Sequence, residues 1–175
     1  LKMFKKINKC FFFDRDGVLN KDKGYISKIK DIELYPKIGQ AIYYCNKKGY
    51  LVIIITNQSG IGRGLITISQ LNNIHNFIKK KIRRNKAYID DIFFCPYHPS
   101  AKIKKYIKIS NDRKPNPGMI LKAIKKWKID SAKSFMIGDK VSDRSASKAA
   151  GVKFFFKSKK VNLYDQIKHI IKNYE

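Results

Sequence analysis

An apolar stretch that stops on two acids constrains the fold of this chain more than any other feature. Residues 10–13 are Cys followed by three Phe, and Asp14, Arg15, Asp16 and Gly17 come directly after them. A short apolar run bounded by charge and Gly indicates a buried strand that leaves its sheet at this point. Side chains two positions apart on an extended backbone share a face, so the two acids could converge on one reacting centre.

These two acids have two interpretations. Nearby carboxylates can divide the roles of nucleophile and general acid/base, and a carboxylate at the carboxyl end of a strand is a natural Mg²⁺ ligand. The simpler interpretation is an Asx turn, in which Asp16 and Gly17 end the strand. This segment alone does not decide between them, so the rest of the chain must.

Length and composition indicate one globular domain. The chain has 175 residues, of which 43% are hydrophobic and 13% aromatic, so it can bury a core although 30% of its residues are charged. We therefore expect a single domain over residues 1–175, and we expect a monomer. The three cysteines, Cys10, Cys45 and Cys95, are odd in number and far apart, which suits a reducing compartment rather than a disulfide framework.

The beginning of the chain and its charge bear on location and partners. Residues 1–13 resemble the start of a signal peptide, but the apolar run is short and meets Asp14 without a cleavage site. With no run of membrane-spanning length, we expect a soluble cytoplasmic protein. The formal net charge of +26 would attract phosphates, nucleic acid or anionic membranes. Its lysines are spread along the whole chain among Ile and Asn, as in a genome drifting toward A and T, so the charge is weak evidence for a nucleic-acid partner.

Strand-like and helix-like segments alternate along the chain, which predicts an α/β fold with a parallel sheet and helices on both faces. The predicted strands are residues 10–14, 51–56, 92–95, 134–138 and 152–156. The predicted helices are residues 37–48, 67–84, 117–128, 143–150 and 162–173. Thr67 and Gln70 have capping-box spacing, and Asn116 is the expected N-cap before Pro117. Residues 96–114 are expected to form an irregular basic loop.

Polar clusters lie at the carboxyl ends of three of the predicted strands. They are Asp14-Arg15-Asp16, Thr56-Asn57-Gln58 and Gly138-Asp139-Lys140. In open parallel sheets, ligands bind at the carboxyl ends of strands, near the point where the strand order reverses. Three reactive clusters at strand ends favour a catalytic site over a chance turn.

Other segments could complete a phosphate site. Residues 56–64 form a glycine-rich turn whose N–H groups could hold phosphate oxygens, with Arg63 as a further cation, although it lacks the spacing of a P-loop. Lys114 could neutralise a transferring phosphoryl group, but in isolation Arg113-Lys114 is typical of surface charge. Asp143 lies one helical turn after Asp139 and could approach a shared cation. It is also explained as an acid stabilised by the helix dipole.

Together these segments resemble the haloacid dehalogenase superfamily of phosphohydrolases, whose four motifs are present in order over roughly residues 10–157. Within it, residues 14–20, Asp22, Gly24-Tyr25 and residues 56–64 resemble the D-glycero-D-manno-heptose 1,7-bisphosphate 7-phosphatase family, as do residues 113–119 and 138–140. The resemblance implies a three-layer Rossmann-like fold without a large cap. It also implies removal of the 7-phosphate from that sugar, during synthesis of nucleotide-activated heptose for the lipopolysaccharide core.

The resemblance implies a role for each matching residue. Asp14 would attack phosphorus to form an aspartyl-phosphate, and Asp16 would protonate the departing sugar oxygen and then activate water. Thr56 and Lys114 would hold the phosphoryl group. Mg²⁺ would be bound by Asp14, the main-chain carbonyl of Asp16 and Asp139. The residues expected to face the phosphosugar substrate are Asn20, Asp22, Asn57, Gln58, Arg63, Arg113 and Lys140, and Lys140 would also support the acidic cluster.

One part of the family pattern is missing. Relatives often carry a zinc-binding loop, with Cys-x-His near the third strand and Cys-x-Cys before Arg-Lys-Pro. Here Cys95 remains and His98 is offset by one position, while the other ligand positions hold Tyr97, Ser110 and Asp112. We therefore predict no structural zinc, which leaves the loop to be ordered by packing or to stay mobile. His75 and His169 are expected to be ordinary helix residues rather than metal ligands.

Three other functions stay open. Histidinol-phosphate phosphatases are similar, but Val18-Leu19-Asn20 and Gly24-Tyr25 favour the heptose enzyme. Polynucleotide 3′-phosphatases share the Thr-Asn-Gln turn, and a charge of +26 would suit DNA. However, they usually carry Thr where this chain has Val18, and no kinase P-loop is present. The non-enzymatic alternative is a degenerate basic protein that binds nucleic acid.

Overall fold

Five parallel strands form one sheet in the computed structural model, which describes residues 7–175. The strands are β1 (Lys9–Phe13), β2 (Tyr50–Asn57), β3 (Asp91–Cys95), β4 (Phe135–Gly138) and β5 (Lys153–Phe156). They lie in the order β3-β2-β1-β4-β5, and every neighbouring pair is parallel. The first six residues of the leader-like segment lie outside the described residues.

The central strand β1 is apolar throughout because both of its faces are covered. Phe11 and Phe13 point into one hydrophobic core, and Cys10 and Phe12 point into the other. All four side chains are fully buried. An alternating strand would have left one face to solvent, so the continuous run correctly predicts the middle of a sheet.

Between residues 7 and 175, five helices cover the two faces of the sheet. They are α1 (Ile38–Lys47), α2 (Ile68–Arg83), α3 (Gly118–Trp127), α4 (Val141–Ala149) and α5 (Leu163–Tyr174). The buried faces of α1, α2 and α5 belong to the core that contains Phe11, and those of α3 and α4 belong to the core that contains Phe12. The predicted three-layer α/β fold is confirmed.

Helix starts follow their capping residues. The predicted capping box of α2 is present: Thr67 Oγ1 accepts the N–H of Gln70, and the Gln70 side chain accepts the N–H of Thr67. The predicted N-cap of α3 is wrong by one position, since Pro117 occupies it and the side chain of Asn116 donates to the carbonyl of Ser110 at 3.2 Å.

Helix α4 begins at Val141, two residues before its predicted start. The Asp143 carboxylate accepts the N–H groups of Asp139 and Lys140 at 3.1 and 3.0 Å, which satisfies the free donors at the helix start. Asp143 is therefore inside the first turn rather than at its beginning.

The strand order creates a crevice beside β1. From β1 the chain proceeds to β2 and β3 on one side of the sheet, and then to β4 and β5 on the other. The carboxyl ends of β1 and β4 thus meet at the point where the order reverses, which is where ligands bind in open α/β sheets. Within residues 7–175 the connections form no large cap over this edge. None of the helices described is both long enough and apolar enough to cross a membrane.

Candidate active site

A cavity of about 480 Å³ opens at this edge of the sheet. Ten residues selected from the sequence line it: Asp14, Asp16, Asp22, Thr56, Asn57, Gln58, Arg113, Lys114, Lys140 and Asp143. The cavity is also lined by Ser142, and the apolar part of its wall comes from Tyr25, Ile26 and Ile66. The sequence does not predict these four as site residues. The three polar strand ends therefore do meet in space.

Lys114 is the electrostatic centre of the cavity floor. Its Nζ lies 2.9 Å from Asp14 Oδ1 and 2.6 Å from Asp143 Oδ1, and it donates to the carbonyl of Ile55 at 2.8 Å. Burial alone would lower the pKa of this lysine, but the two carboxylates outweigh burial and hold its pKa above the ordinary value. A permanent buried cation at this position can hold the oxygens of a phosphoryl group.

Asp14 is a buried acid with a raised pKa. Burial raises the pKa of its carboxyl to about 7, although the ammonium of Lys114 acts in the opposite direction, and the charge of Asp143 adds to the rise. The rise means that the protein environment only partly compensates the negative charge of this carboxylate. A further cation beside it would restore the ionised form that a nucleophile needs.

Three carboxylates could supply that cation's ligands. One oxygen each from Asp14, Asp139 and Asp143 lie within 4.8 Å of one another. Burial also raises the pKa of Asp139. Asp143 Oδ1 is buried, and the donor beside it is Lys114 Nζ at 2.6 Å. Clustered carboxylate oxygens suit Mg²⁺, so the residues fit the metal that the sequence predicts.

Gly17 allows the Asp14–Gly17 turn to approach the fourth strand. Its φ of +88° is in the left-handed region, and a Cβ at this position would collide with the carboxylate of Asp139. Only Gly meets both requirements without strain. The Gly that first indicated a simple turn is thus what brings two of the three clustered acids together.

Asp16 is held by donors on three sides. Arg15 Nη2 donates to both carboxylate oxygens at 2.9 and 2.8 Å, and Arg15 Nε donates at 3.1 Å. Gln58 and Asn20 each donate an amide N–H at 2.9 Å. Asn20 is completely buried, which corrects the expectation that it faces the substrate: it orients Asp16 instead.

Asn57 and Gln58 also brace the floor of the cavity. The Asn57 amide donates to the carbonyl of Lys114 at 3.0 Å and accepts its N–H at 3.1 Å, which fixes the backbone of that lysine. Gln58 Nε2 additionally donates to Thr56 Oγ1 at 2.9 Å. Both residues line the cavity, and the contacts described here are with the protein.

The glycine-rich turn is bonded to itself more than the sequence suggests. The N–H groups of Ile61, Arg63, Gly64 and Leu65 all donate to carbonyls within the turn. The cavity reaches the turn only at Ser59 and Gly60. The expectation of an open cradle of N–H groups along residues 56–64 is therefore wrong for most of its length.

Cations surround the mouth of the cavity. Lys140 Nζ pairs with Asp22 at 3.0 Å, and Arg113 Nη1 lies 3.5 Å from the carbonyl of Tyr97. Arg63 does not line the cavity; its guanidinium lies over the ring of Tyr25, 5.9 Å from the ring centre. The Tyr25 ring therefore separates Arg63 from the cavity, whereas the sequence predicts that Arg63 faces the substrate.

Contacts within the protein hold the loop after β3. The carbonyl of Gly62 accepts the N–H groups of Lys102 and Ile103, both at 2.9 Å, and the Tyr97 and Tyr106 rings pack 6.0 Å apart. Two of the family's zinc positions bond to protein groups, since Ser110 Oγ accepts the N–H of Asp112 and Asp112 pairs with a lysine. The predicted lack of structural zinc stays a prediction.

His75 lies on helix α2, as the sequence predicts, and its ring contacts a residue far away in the chain. It lies on the buried face of α2, is only 6% exposed, and its Nε2 is 3.3 Å from Arg15 Nη1. Helical periodicity could have placed it on the apolar face, but nothing local in the sequence pairs it with a residue 60 positions away. His169, by contrast, is exposed on α5 and interacts with Asn173.

Known proteins resemble this chain in sequence. The family described as polynucleotide kinase 3 phosphatase matches residues 9–168. D-glycero-β-D-manno-heptose-1,7-bisphosphate 7-phosphatase from Rhodopseudomonas palustris is 41% identical over 144 residues, which are 82% of this chain and 80% of that protein. The protein of the same name from Escherichia coli K12 is 36% identical over 143 residues, with 82% and 75% covered.

Solved structures agree with the fold. A HAD-like phosphatase from Mesorhizobium loti superposes with a TM-score of 0.80 at 35% identity, over 85% of this chain and 71% of that one. D,D-heptose 1,7-bisphosphate phosphatase from B. bronchiseptica, solved with magnesium and phosphate, has a TM-score of 0.79 at 24% identity, over 94% and 98%. At that lower identity the similarity shows the fold alone.

The parallel sheet and the acidic cavity at its switch point, with the matched relatives, define a phosphatase of the haloacid dehalogenase superfamily. The protein is therefore a phosphoric monoester hydrolase. Within that class, the chain belongs to the D-glycero-β-D-manno-heptose-1,7-bisphosphate 7-phosphatase family.

Proposed function

We propose that this protein removes the 7-phosphate of D-glycero-β-D-manno-heptose 1,7-bisphosphate in a Mg²⁺-dependent reaction, through an aspartyl-phosphate at Asp14. The observation that carries the proposal is the buried Lys114 between Asp14 and Asp143, in a chain 41% identical to a relative with that activity in its name. A nucleophile, a phosphate-binding cation and a carboxylate cluster share one cavity floor.

In the first step, a carboxylate oxygen of Asp14 attacks phosphorus, and the bond from phosphorus to the sugar oxygen breaks. Asp16 gives its proton to that leaving oxygen, which would otherwise depart as a poor alkoxide. The ammonium of Lys114 and the hydroxyl of Thr56 hold the oxygens of the phosphoryl group as its charge redistributes.

In the second step, Asp16 takes a proton from water, and the water oxygen attacks phosphorus. The bond from phosphorus to Asp14 breaks, inorganic phosphate leaves, and both acids regain their starting states. The contacts of Asp16 with Arg15, Asn20 and Gln58 fix its carboxylate, so one group can serve both proton transfers.

Mg²⁺ would be held by the carboxylates of Asp14 and Asp139 and by the main-chain carbonyl of Asp16. Asp143 belongs to the same carboxylate cluster. When bound, the ion supplies positive charge that keeps Asp14 ionised and offsets the charge of the phosphate. Arg113 and Lys140, which line the cavity, are the groups we assign to the rest of the substrate.

The setting of the enzyme is part of the same proposal. We place it in the cytoplasm as a monomer of one domain over residues 1–175, without structural zinc and acting in the synthesis of nucleotide-activated heptose for lipopolysaccharide core. Elemental analysis of purified protein tests the zinc statement, and one tightly bound zinc per chain would contradict it. Sedimentation analysis tests the monomer.

Polynucleotide 3′-phosphatase is the second candidate. Two observations favour it: the family model that spans residues 9–168 carries the polynucleotide kinase 3 phosphatase name, and the net charge of +26 suits a DNA end. The heptose substrate has the stronger support, because its name belongs to relatives at 36–41% identity over most of the chain.

A side-by-side rate comparison tests the proposal. The substrates are heptose 1,7-bisphosphate, histidinol phosphate and a 3′-phosphorylated oligonucleotide, each with and without Mg²⁺. We expect the heptose substrate to give the highest kcat/KM and to require the metal. Asp14→Asn is the matched control, since it keeps the side-chain shape and removes the nucleophile. A clear lead for either other substrate would refute the substrate assignment.

A further inference from the structure

We infer that His75 is a positioning residue for Asp16 and acts through Arg15; the inference rests on the proposed acid/base role of Asp16. It concerns a buried histidine that the mechanism above does not use. His75 occupies a position on α2 among Leu71, Ile74, Ile78 and Ile82, all of which are buried. An apolar side chain would suit that helix face, so the polar ring calls for a partner.

The partner is a buried guanidinium. Arg15 is fully buried, and its Nη1 lies 3.3 Å from His75 Nε2. A guanidinium has donors only, so Nε2 must be the acceptor, and the proton of the neutral ring must sit on Nδ1. Burial, with the charge of Arg15, lowers the pKa of His75 to about 3, so the ring remains a neutral acceptor.

The other edge of the same guanidinium faces the active site. Arg15 Nη2 and Nε make three hydrogen bonds of 2.8–3.1 Å to the carboxylate of Asp16. Because the guanidinium is planar and rigid, fixing Nη1 at one edge also fixes the fork at the other. His75 therefore sets the plane and the depth of the group that orients the Asp16 carboxylate.

Loss of the acceptor would affect one chemical step more than others. Without His75, the guanidinium can tilt, and Asp16 then meets the leaving oxygen in a poorer geometry. Proton donation matters greatly for a sugar alkoxide and little for p-nitrophenolate, which leaves without a proton. Hydrolysis of the aspartyl-phosphate also uses Asp16 and is common to both substrates, but kcat/KM reports only the steps up to release of the leaving group. In kcat/KM, a defect in Asp16 positioning should therefore depend on the leaving group, whereas general damage to the fold should not.

The test compares kcat/KM on heptose 1,7-bisphosphate and on p-nitrophenyl phosphate, with Mg²⁺ present. The first variant is His75→Leu, which suits the apolar helix face and removes the acceptor. We expect about a 10- to 100-fold loss of kcat/KM on the sugar substrate and no comparable loss of kcat/KM on p-nitrophenyl phosphate. His75→Gln, which keeps an acceptor of similar reach, should restore most of the sugar activity.

The other outcomes contradict the inference. Equal losses on both substrates in a folded His75→Leu protein, or no loss on either, would overturn it, as would failure of His75→Gln to restore activity. Asp16→Asn is measured in parallel. A selective loss of kcat/KM in Asp16→Asn without one in His75→Leu rejects only the role of His75, whereas an equal loss of kcat/KM on both substrates in Asp16→Asn rejects the acid role itself and the inference with it. His75→Met replaces the Leu variant if that protein does not fold.

Discussion

Acidification should destabilise the fold through His75, and the size of the effect follows from its burial. The pKa of this buried ring is about 3, against an ordinary value of 6.5, because burial and the charge of Arg15 disfavour its protonated form. Below pH 6.5 the unfolded chain binds a proton at this position and the folded chain does not. Stability contributed by the neutral ring is therefore complete above pH 6.5 and is lost as the pH falls toward 3.

The difference in bound protons between the folded and the unfolded chain gives the size of this loss of stability. From pH 7 to pH 5, the unfolded chain gains about 0.7 of a proton at position 75, which lowers the free energy of unfolding by about 2 kcal/mol. This figure depends only on the folded pKa lying well below 5. Asp14 acts in the opposite direction, because its raised pKa of about 7 means that stability falls as pH rises from about 4 to 7. That contribution is common to proteins that differ only at position 75.

The assay is urea unfolding of wild type and His75→Gln at pH 7 and pH 5. On going from pH 7 to pH 5, wild type should lose about 2 kcal/mol more of its free energy of unfolding than His75→Gln loses. His169→Gln is the matched control, since His169 is exposed and should leave the difference unchanged. Equal pH dependence in wild type and His75→Gln would refute the buried, neutral state of His75.

Three other predictions address the cavity. Lys114→Met leaves two buried carboxylates without their cation, so it should abolish turnover and lower the free energy of unfolding by about 3–5 kcal/mol at pH 7. The loss should be smaller at pH 5, where Asp14 is protonated. An active, fully stable variant would contradict this prediction. Gly17→Ala forces a Cβ against Asp139 at a positive φ, and should lower both activity and melting temperature, with a cost of at least about 1 kcal/mol. Mg²⁺ should raise the melting temperature of wild type more than that of Asp139→Asn, and equal shifts by calorimetry would exclude Asp139 as a ligand.

The sequence predicts the fold well because the information is local. The run Phe11–Phe13 is apolar on both faces, and that is enough to indicate a central strand. The side chain of Thr67 itself caps helix α2. Asp14, Thr56 and Asp139 each lie at the end of a recognisable strand. Parallel pairing then brings strand ends together whatever the loops do, so the cavity itself is predictable.

Side-chain partners within the site are less predictable because they depend on how distant elements dock. Asn20 reads as a polar loop residue, yet the turn after β1 buries it beneath Asp16. The contact between Arg15 and His75 requires both the sheet register and the rotation of α2 about its axis. The glycine-rich turn satisfies its own N–H groups, a result of its backbone path that residue types do not reveal.

Chemical trapping of the intermediate tests directly whether Asp14 is the nucleophile that forms the aspartyl-phosphate. An aspartyl-phosphate is reduced by borohydride to homoserine, so quenching the enzyme during turnover of heptose 1,7-bisphosphate with Mg²⁺ should mark the nucleophile for mass spectrometry. We expect homoserine at position 14, only when substrate is present, and none in Asp14→Asn. Homoserine at another aspartate, or full turnover by Asp14→Asn, would contradict it.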